Sequence, residues 1–497
     1  MNTSQLHDVL EKARVECGIV GMSVAVLYKG DLVFAEGFGK RNLQDPFTAE
    51  TLAPIASLTK AFTAAAIGEL VAEGLLDWDQ TSVNTYLPEF QVKDPGLTSQ
   101  LTLADMLSHR TGLPELDLAW FQNRTARRDL IHRLRHVEMD TKLRSKCLYN
   151  NVMYTVAAEA AASVSGMSYE QLVRNKILAP LGLNSSGFSQ AELRKHPNHS
   201  RRFDAASFEE AQQGRFEMGE LNMHVANAPA GDMFSNVLDL VRWGSTILHG
   251  GKKDGQQQQQ VLSESSVKEM LSGQSFMSLN GTRRSPDFAP VVAYGLGWIL
   301  DSYKGQVVYR HGGSNPGFRS NLVLFPDRDL VIAHLANVNV TELPDSLPYY
   351  LADQLLGLPK TQDWFELAVK KTQNMYRILA ALSQPELPAK SMDRPPTLEL
   401  EAFLGEYWHP VHGDVSIQLG EKKSLVFQMR SFRSEMIHHD LNVFGLVLSD
   451  FALKLGASVH FQTSVLDKVM GFRAQVADMV EGVLEFTKKE GKELVEE

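Results

Sequence analysis

Two strand-like stretches, separated by a long helical middle, constrain this chain more than any other feature. The first is Met22–Tyr28 and Leu32–Phe38, joined by Lys29-Gly30-Asp31, a good hairpin connection. The second spans 290–337 and holds Tyr294–Leu300, Gln306–Arg310, Ser320–Phe325 and Leu330–Ala336. Tyr303-Lys304-Gly305 and Pro326-Asp327-Arg328-Asp329 punctuate it as turns. The middle reads as helices at Leu58–Glu73, Leu103–Ser108, Val152–Val164, Tyr169–Ile177 and Val237–Leu248, with an irregular excursion over Arg194–Phe216. An amphipathic helix over 3–16 precedes the first hairpin. Strands at both ends of a helical middle predict an α+β domain. Its terminal strands share one sheet, with helices packed on it.

Residues 349–381 read as helical, and Ser383–Pro396, with Pro385, Pro388, Pro395 and Pro396, reads as a linker. Beyond it, Val415–Gln418, Leu425–Met429, Val443–Leu448, Val459–Gln462 and Val469–Val476 are short β-like runs at fairly regular spacing. They predict a small all-β barrel or sandwich. The expected domains are therefore 1–382, a linker over 383–396, and 397–497. The glutamine run Gln256–Gln260 reads as a surface loop.

Charge and composition exclude several partner classes. With 49 Lys and Arg against 59 Asp and Glu, the net charge of −10 argues against nucleic acid and anionic lipid. No apolar run reaches the roughly 18 residues that a spanning helix needs, so no membrane association is expected. The opening MNTSQLHDVLEKARVECG has no basic and apolar leader pattern, which points to a cytoplasmic protein. Cys17 and Cys147, the only two cysteines, cannot form a disulfide framework and read as ordinary thiols. His409 and His412, His438-His439, and His196 with His199 lack partners at metal-ligand spacing, so neither a metal nor an organic cofactor is expected.

Three short motifs carry chemistry. Ser57-Leu58-Thr59-Lys60 opens the Ala-rich helix, and its i, i+3 spacing puts the Lys60 amine within reach of the Ser57 hydroxyl. A serine hydroxyl needs such a base to act as nucleophile, and the helix N-terminus supplies N–H donors for an oxyanion. A second copy of the pattern, Ser265-Ser266-Val267-Lys268, has no long apolar helix behind it and reads as an exposed helix start. Tyr149-Asn150-Asn151 adds a phenol for proton transfer and an amide that can accept from the lysine or donate to substrate. His311-Gly312-Gly313 follows the strand Gln306–Arg310; its glycines allow a substrate backbone to approach, and Ser314 offers an N–H. Taken alone, the last motif reads as a bend after a strand, with His311 free to hydrogen-bond a carboxylate or the Tyr149 phenol.

Together, in this order, the motifs resemble the serine β-lactamase and penicillin-binding-protein superfamily. The likeness is greatest to the class C β-lactamase-related esterases, D-aminopeptidases and acyltransferases. Thr102–Pro114, Ala228-Pro229-Ala230-Gly231 with Asp239, and Tyr294-Gly295-Leu296-Gly297-Trp298 are similar to further family segments. The resemblance covers roughly residues 5–356. It implies that the shared sheet is antiparallel and that the middle forms an inserted helical subdomain. It implies Ser57 as nucleophile, Lys60 and Tyr149 as the proton-transfer pair, Asn151 and His311 as substrate-orienting groups, and Gly313 with Ser314 lining the cleft. The third element, His311-Gly312-Gly313, stands where antibiotic-hydrolysing class C enzymes and many penicillin-binding proteins have Lys-Thr-Gly. Histidine is a weaker, pH-dependent cation, which argues against β-lactams and favours esters, amides or peptides. Glu401–Tyr407 resembles the opening of a lipocalin-like barrel, suited to shaping the cleft mouth or to self-association. The expected activity is a serine hydrolase acting through an acyl-enzyme on a small-molecule or peptide substrate. The alternatives are an acyltransferase of intracellular metabolism and a non-catalytic binding protein on the same fold.

Overall fold

The computed structural model describes residues 3–121, 126–221, 223, 225–253, 259–277, 285–388, 394–421, 423–450, 453–477 and 482–489. Gln256–Gln258 of the glutamine run and residues 389–393 of the expected linker lie outside these. The chain divides into two compact units, one of Met1–Glu115 with Arg124–Met375 and one of Leu116–Asn123 with Tyr376–Glu497.

The first unit is built on a sheet of eight strands among the described residues. They are β1 (Gly21–Tyr28), β2 (Asp31–Gly39), β3 (Ser275–Met277), β4 (Val292–Tyr294), β5 (Ile299–Tyr303), β6 (Gln306–Asn315), β7 (Phe318–Phe325) and β8 (Leu330–Ala336). Their order is β2-β1-β8-β7-β6-β5-β4-β3, antiparallel at every pairing. The N-terminal hairpin thus joins the later strands at β1 and β8, where Val24 opposes His334. Every residue of β8 is buried, because both faces of the sheet are covered. On one face lie α1 (Thr3–Glu16) and the pair formed later in the chain by Leu343–Leu356 and Trp364–Leu382. Leu10, Val24, Ile332, Leu347 and Trp364 share that core. On the other face lies the helix Val237–Leu248. Gly244 admits it closely there, since a Cβ at Gly244 would sit 2.6 Å from Val331 Cγ1.

α2 (Thr59–Ala72) is buried along most of its length on an Ala-rich surface, and α3 (Asn151–Ser165) packs beside it.

Four expectations need correction. Tyr294–Leu300 is not one strand: β4 ends at Tyr294 and β5 starts at Ile299, with Gly297 at φ +80° between them. A Cβ at Gly297 would lie 2.8 Å from Lys60 O, so the break lets α2 approach the sheet. His311-Gly312-Gly313 is not a bend, because β6 runs unbroken from Gln306 to Asn315. The helix expected over 349–381 is two helices, the first closed by Gly357 in the left-handed region at φ +63°. Part of the Arg194–Phe216 excursion is ordered: Arg202–Asp204 pairs with Glu217–Gly219 around a short helix, Phe208–Gln212.

The second unit is a nearly closed antiparallel barrel of nine strands among the described residues. In chain order these are β9 (Gly405–His409), β10 (Gly413–Leu419), β11 (Leu425–Met429), β12 (Phe432–Glu435), β13 (Ile437–Asp440), β14 (Val443–Asp450), β15 (Leu453–Thr463), β16 (Val469–Val476) and β17 (Val483–Lys488). They are arranged β12-β11-β10-β9-β17-β16-β15-β14-β13. The inward rows are aromatic, including Phe403, Tyr407, Phe427, Phe461 and Phe472. Leu118 belongs to the same core, and the Arg430 guanidinium donates to Leu118 O at 2.5 Å and to Phe121 O at 2.7 Å. Gln384 runs along this barrel rather than free of it: a Cβ at Gly456 would fall 2.1 Å from Gln384 C.

Candidate active site

Ser57 sits on a sharp turn, Ala56–Leu58, that feeds α2. Ala56 adopts φ +48°, a conformation that costs a non-glycine residue about 1–2 kcal/mol. The surroundings hold it there. Ser320 Oγ on β7 donates to Ile55 O at 2.7 Å, Ile55 N–H donates to Met233 O at 2.9 Å, and Thr59 Oγ1 donates to Ala56 O at 2.7 Å. The strain aims the Ser57 side chain out of the helix start, where it is half-buried.

One helical turn on, Lys60 is fully buried, and its ammonium is held by acceptors from three parts of the chain. Nζ donates to Ser57 Oγ at 3.0 Å, to Asn151 Oδ1 at 2.8 Å and to Ala230 O at 2.8 Å. Without these partners a buried lysine would be costly. Nζ also lies 4.7 Å from the centre of the Tyr149 ring. Asn151 is the first residue of α3, and the preceding Asn150 caps that helix by accepting from Met153 N–H at 3.2 Å. The cap fixes the direction in which Asn151 leaves the helix and so places its amide oxygen on Lys60.

β6 supplies the third wall. Its partner β5 reaches only as far as Arg310, so residues 311–315 are free of β5 on that edge. Gly313 passes the nucleophile turn so closely that a Cβ would lie 2.3 Å from both Ile55 O and Ser320 Oγ. Only glycine fits there. Ser314 is exposed, and its hydroxyl donates to Asn339 Oδ1 at 2.7 Å.

His311 differs most from expectation. It does not bond Tyr149, whose ring centre is 6.5 Å away. Its Nε2 pairs with the Tyr294 hydroxyl at 2.8 Å and its Nδ1 with Gly312 O at 2.6 Å. The consistent tautomer has Nδ1–H donating to the carbonyl and Nε2 accepting from the phenol. Burial, reinforced by the Lys60 charge, pulls its pKa down to about 3, so the ring is neutral at physiological pH. Burial also raises the Tyr294 phenol well above its usual range.

Ser57, Lys60, Tyr149, Asn151, His311, Gly313 and Ser314 therefore lie on three elements that meet around the α2 start. Three contributors escaped the sequence analysis. Ala230 acts through its carbonyl, which no side-chain pattern reveals. Ser320 braces the turn from the far side of β6. Tyr294 lies in a segment read only as a strand and as a family likeness. The second Ser-x-x-Lys lies elsewhere, on the helix Glu264–Met270, where Ser266 Oγ donates to Gly68 O at 2.7 Å. In the barrel, His409 Nδ1 accepts from Val411 and His412 N–H at 3.1 and 3.2 Å. No helix among the described residues is long and apolar enough to cross a membrane.

Comparison with known proteins places this geometry. The Beta-lactamase family model matches residues 6–356. The unguisins hydrolase ungD' of Aspergillus campestris is 27% identical over 437 residues, covering 83% of this chain and 77% of that protein. The octameric penicillin-binding protein homologue from Pyrococcus abyssi superposes with a TM-score of 0.61 at 20% identity, over 98% of this chain and 100% of that one. A D-stereospecific amidohydrolase from Streptomyces sp. gives a TM-score of 0.55 at 21% identity, over 72% of this chain and 99% of that one. The last two establish the fold.

Proposed function

The chain belongs to the beta-lactamase family, and from that premise we propose that it is a serine hydrolase that opens amide or ester bonds through an acyl-enzyme on Ser57. The observation that carries the reading is the Lys60 ammonium held between Ser57 Oγ and Asn151 Oδ1, beside the Tyr149 ring. Ser57 Oγ attacks the substrate carbonyl carbon as its proton passes to the Lys60–Tyr149 pair, which must enter the step one proton short, as ammonium with phenolate or as amine with phenol. The N–H groups of Ser57 and Ser314 face the oxyanion. When the carbon–leaving-group bond breaks, the pair returns the proton to the departing amine or alkoxide, with the Tyr149 hydroxyl as donor. Water then attacks the acyl carbonyl, gives its proton to the pair, and Ser57 leaves with it. Asn151 orients the substrate amide.

Substrate choice follows from His311. Both its nitrogens are occupied and the ring is neutral, so the third element brings no cation to a substrate carboxylate. This favours amides, esters and peptide bonds whose acyl side carries no free carboxylate next to the cleft, and disfavours β-lactam antibiotics. The similarity to an unguisins hydrolase along most of the chain supports hydrolysis over binding alone. An acyltransferase would use the same first half-reaction and differ only in the alcohol or amine that enters second.

Turnover of p-nitrophenyl esters and D-amino-acid p-nitroanilides tests the reading, with and without added alcohols or amines. Hydrolysis that disappears in Ser57→Ala and is not diverted by acceptors is the expected result. Product appearing only as the transferred ester or amide would make the enzyme an acyltransferase, and turnover that survives in Ser57→Ala would overturn the nucleophile.

A further inference from the structure

We infer that His109 is a positioning residue that sets the place of the Tyr149 phenol; this rests on the proton-transfer role proposed for Tyr149.

The hydrogen bonds flanking Tyr149 converge on this one residue. Leu148 N–H donates to His109 O at 2.7 Å, and Asn150 N–H donates to His109 Nδ1 at 3.1 Å. Between these two anchors the Tyr149 ring lies against the imidazole, with ring centres 4.2 Å apart. His109 thus meets both the ring of Tyr149 and the peptide groups on either side of it. The Asn150 bond also defines the tautomer: Nδ1 is an acceptor, so the ring proton is on Nε2. Burial and the neighbouring Lys60 charge keep the ring neutral, which preserves that acceptor. Nε2 has no hydrogen-bond partner among the described residues, so the polar work of this ring is confined to Nδ1.

His109 is itself held in an unfavourable geometry. It is fully buried with φ +59°, where a non-glycine residue persists only when its surroundings over-determine it. The bracing is visible on both sides. Asp105 binds Arg110 at 2.7 Å and Arg144 at 2.8 Å, and Arg144 N–H donates to Arg110 O at 2.8 Å. Asp140 and Thr141 N–H both donate to Gly112 O. The loop that ends in Tyr149 is therefore laid along residues 109–112 before it reaches His109. The imidazole also packs against Tyr294, 4.6 Å away between ring centres, and Tyr294 carries the bond to His311. One ring thus ties the Tyr149 element to the third element of the site. A residue kept only to fill space would need neither the acceptor nor the left-handed backbone.

The test is kinetic. Asparagine places an acceptor at the Nδ1 position and tolerates the left-handed backbone, whereas glutamine carries its acceptor one bond too far and alanine has none. With a p-nitrophenyl ester, His109→Ala and His109→Gln are expected to lose at least about 20-fold in kcat with KM within about twofold, while His109→Asn recovers to within about threefold. In a Tyr149→Phe background His109→Ala is expected to cost less than about twofold more, because nothing is left to position. Should the alanine variant fail to fold, the Asn–Gln pair makes the same decision. The inference is overturned if Asn is no better than Gln, if His109→Ala is unimpaired, or if its full loss reappears on top of Tyr149→Phe. A Tyr149→Phe enzyme as fast as the parent removes the Tyr149 role and this inference together. A slow Tyr149→Phe enzyme beside a fast His109→Ala removes this inference alone.

Discussion

The two units fill their interiors in opposite ways. The barrel core is apolar, with Phe427, Phe461, Phe472 and Phe486 among its buried rings. A small space within it is lined by Leu118, Phe427, Met429, Leu446 and similar apolar groups. The first unit instead buries a lysine and three histidines, Lys60, His109, His311 and His334, beside Asn321 and Ser320. His334 has no hydrogen-bond partner at either ring nitrogen among the described residues. An interior spent on packing maximises stability. One spent on oriented polar groups gives up stability for chemistry. The contrast sets the buried polar groups of the proposed chemistry in the first unit and an apolar, aromatic interior in the barrel.

The largest effect that sharpens this contrast is Lys60→Met. The substitution keeps the side-chain length but removes the ammonium, and leaves Asn151 Oδ1 and Ala230 O without their donor. Ester turnover is expected to fall at least about 1,000-fold while unfolding free energy moves by less than about 2 kcal/mol, since an apolar chain replaces a buried charge. Loss of both together in urea unfolding and activity assays would make Lys60 a structural residue. In the barrel the expectation reverses. Phe472→Ala removes a ring that stacks on Phe486 at 4.7 Å and is expected to cost about 3–5 kcal/mol. A barrel transition unchanged in calorimetry would mean that the aromatic core is not what holds it.

Acid should separate the units more gently. Burial lowers His311 and His334 to about 3 and His109 well below its usual value. The unfolded chain takes up these protons near pH 6.5 and the folded unit does not, so stability is complete above pH 6.5 and drains as pH falls towards 3. At pH 5 His311 and His334 each withdraw about 2 kcal/mol. Urea midpoints of the first transition should fall from pH 7 to pH 5, less steeply in His334→Asn; a flat profile would contradict the neutral buried rings.

Much of this was legible in the residues. The hairpin at Lys29-Gly30-Asp31, the Ala-rich helix and the bracketing strands follow from turn chemistry and periodicity, and they lead to the right sheet. The Ser57–Lys60 contact follows from helical spacing alone. What was hidden depends on tertiary contact. The break at Gly297 exists because α2 needs room, and a Gly-rich aromatic run looks the same with or without it. His311 read as an available cation because sequence cannot show that Tyr294 and Gly312 take up both its nitrogens. Leu116–Asn123 groups with the barrel through Leu118 and the Arg430 bonds, a pairing over three hundred residues apart that no local pattern marks. Four barrel strands, β9, β12, β13 and β17, escaped because they are short and their apolar residues alternate with polar ones.

The central claim is that Ser57 is the acylated nucleophile, and intact-protein mass after exposure to a serine-directed phosphonate tests it most directly. The account predicts a single adduct on the parent chain, mapped to the peptide bearing Ser57, and none on Ser57→Ala. Equal labelling of both proteins, or no labelling of the parent under conditions that modify a control serine hydrolase, would contradict it.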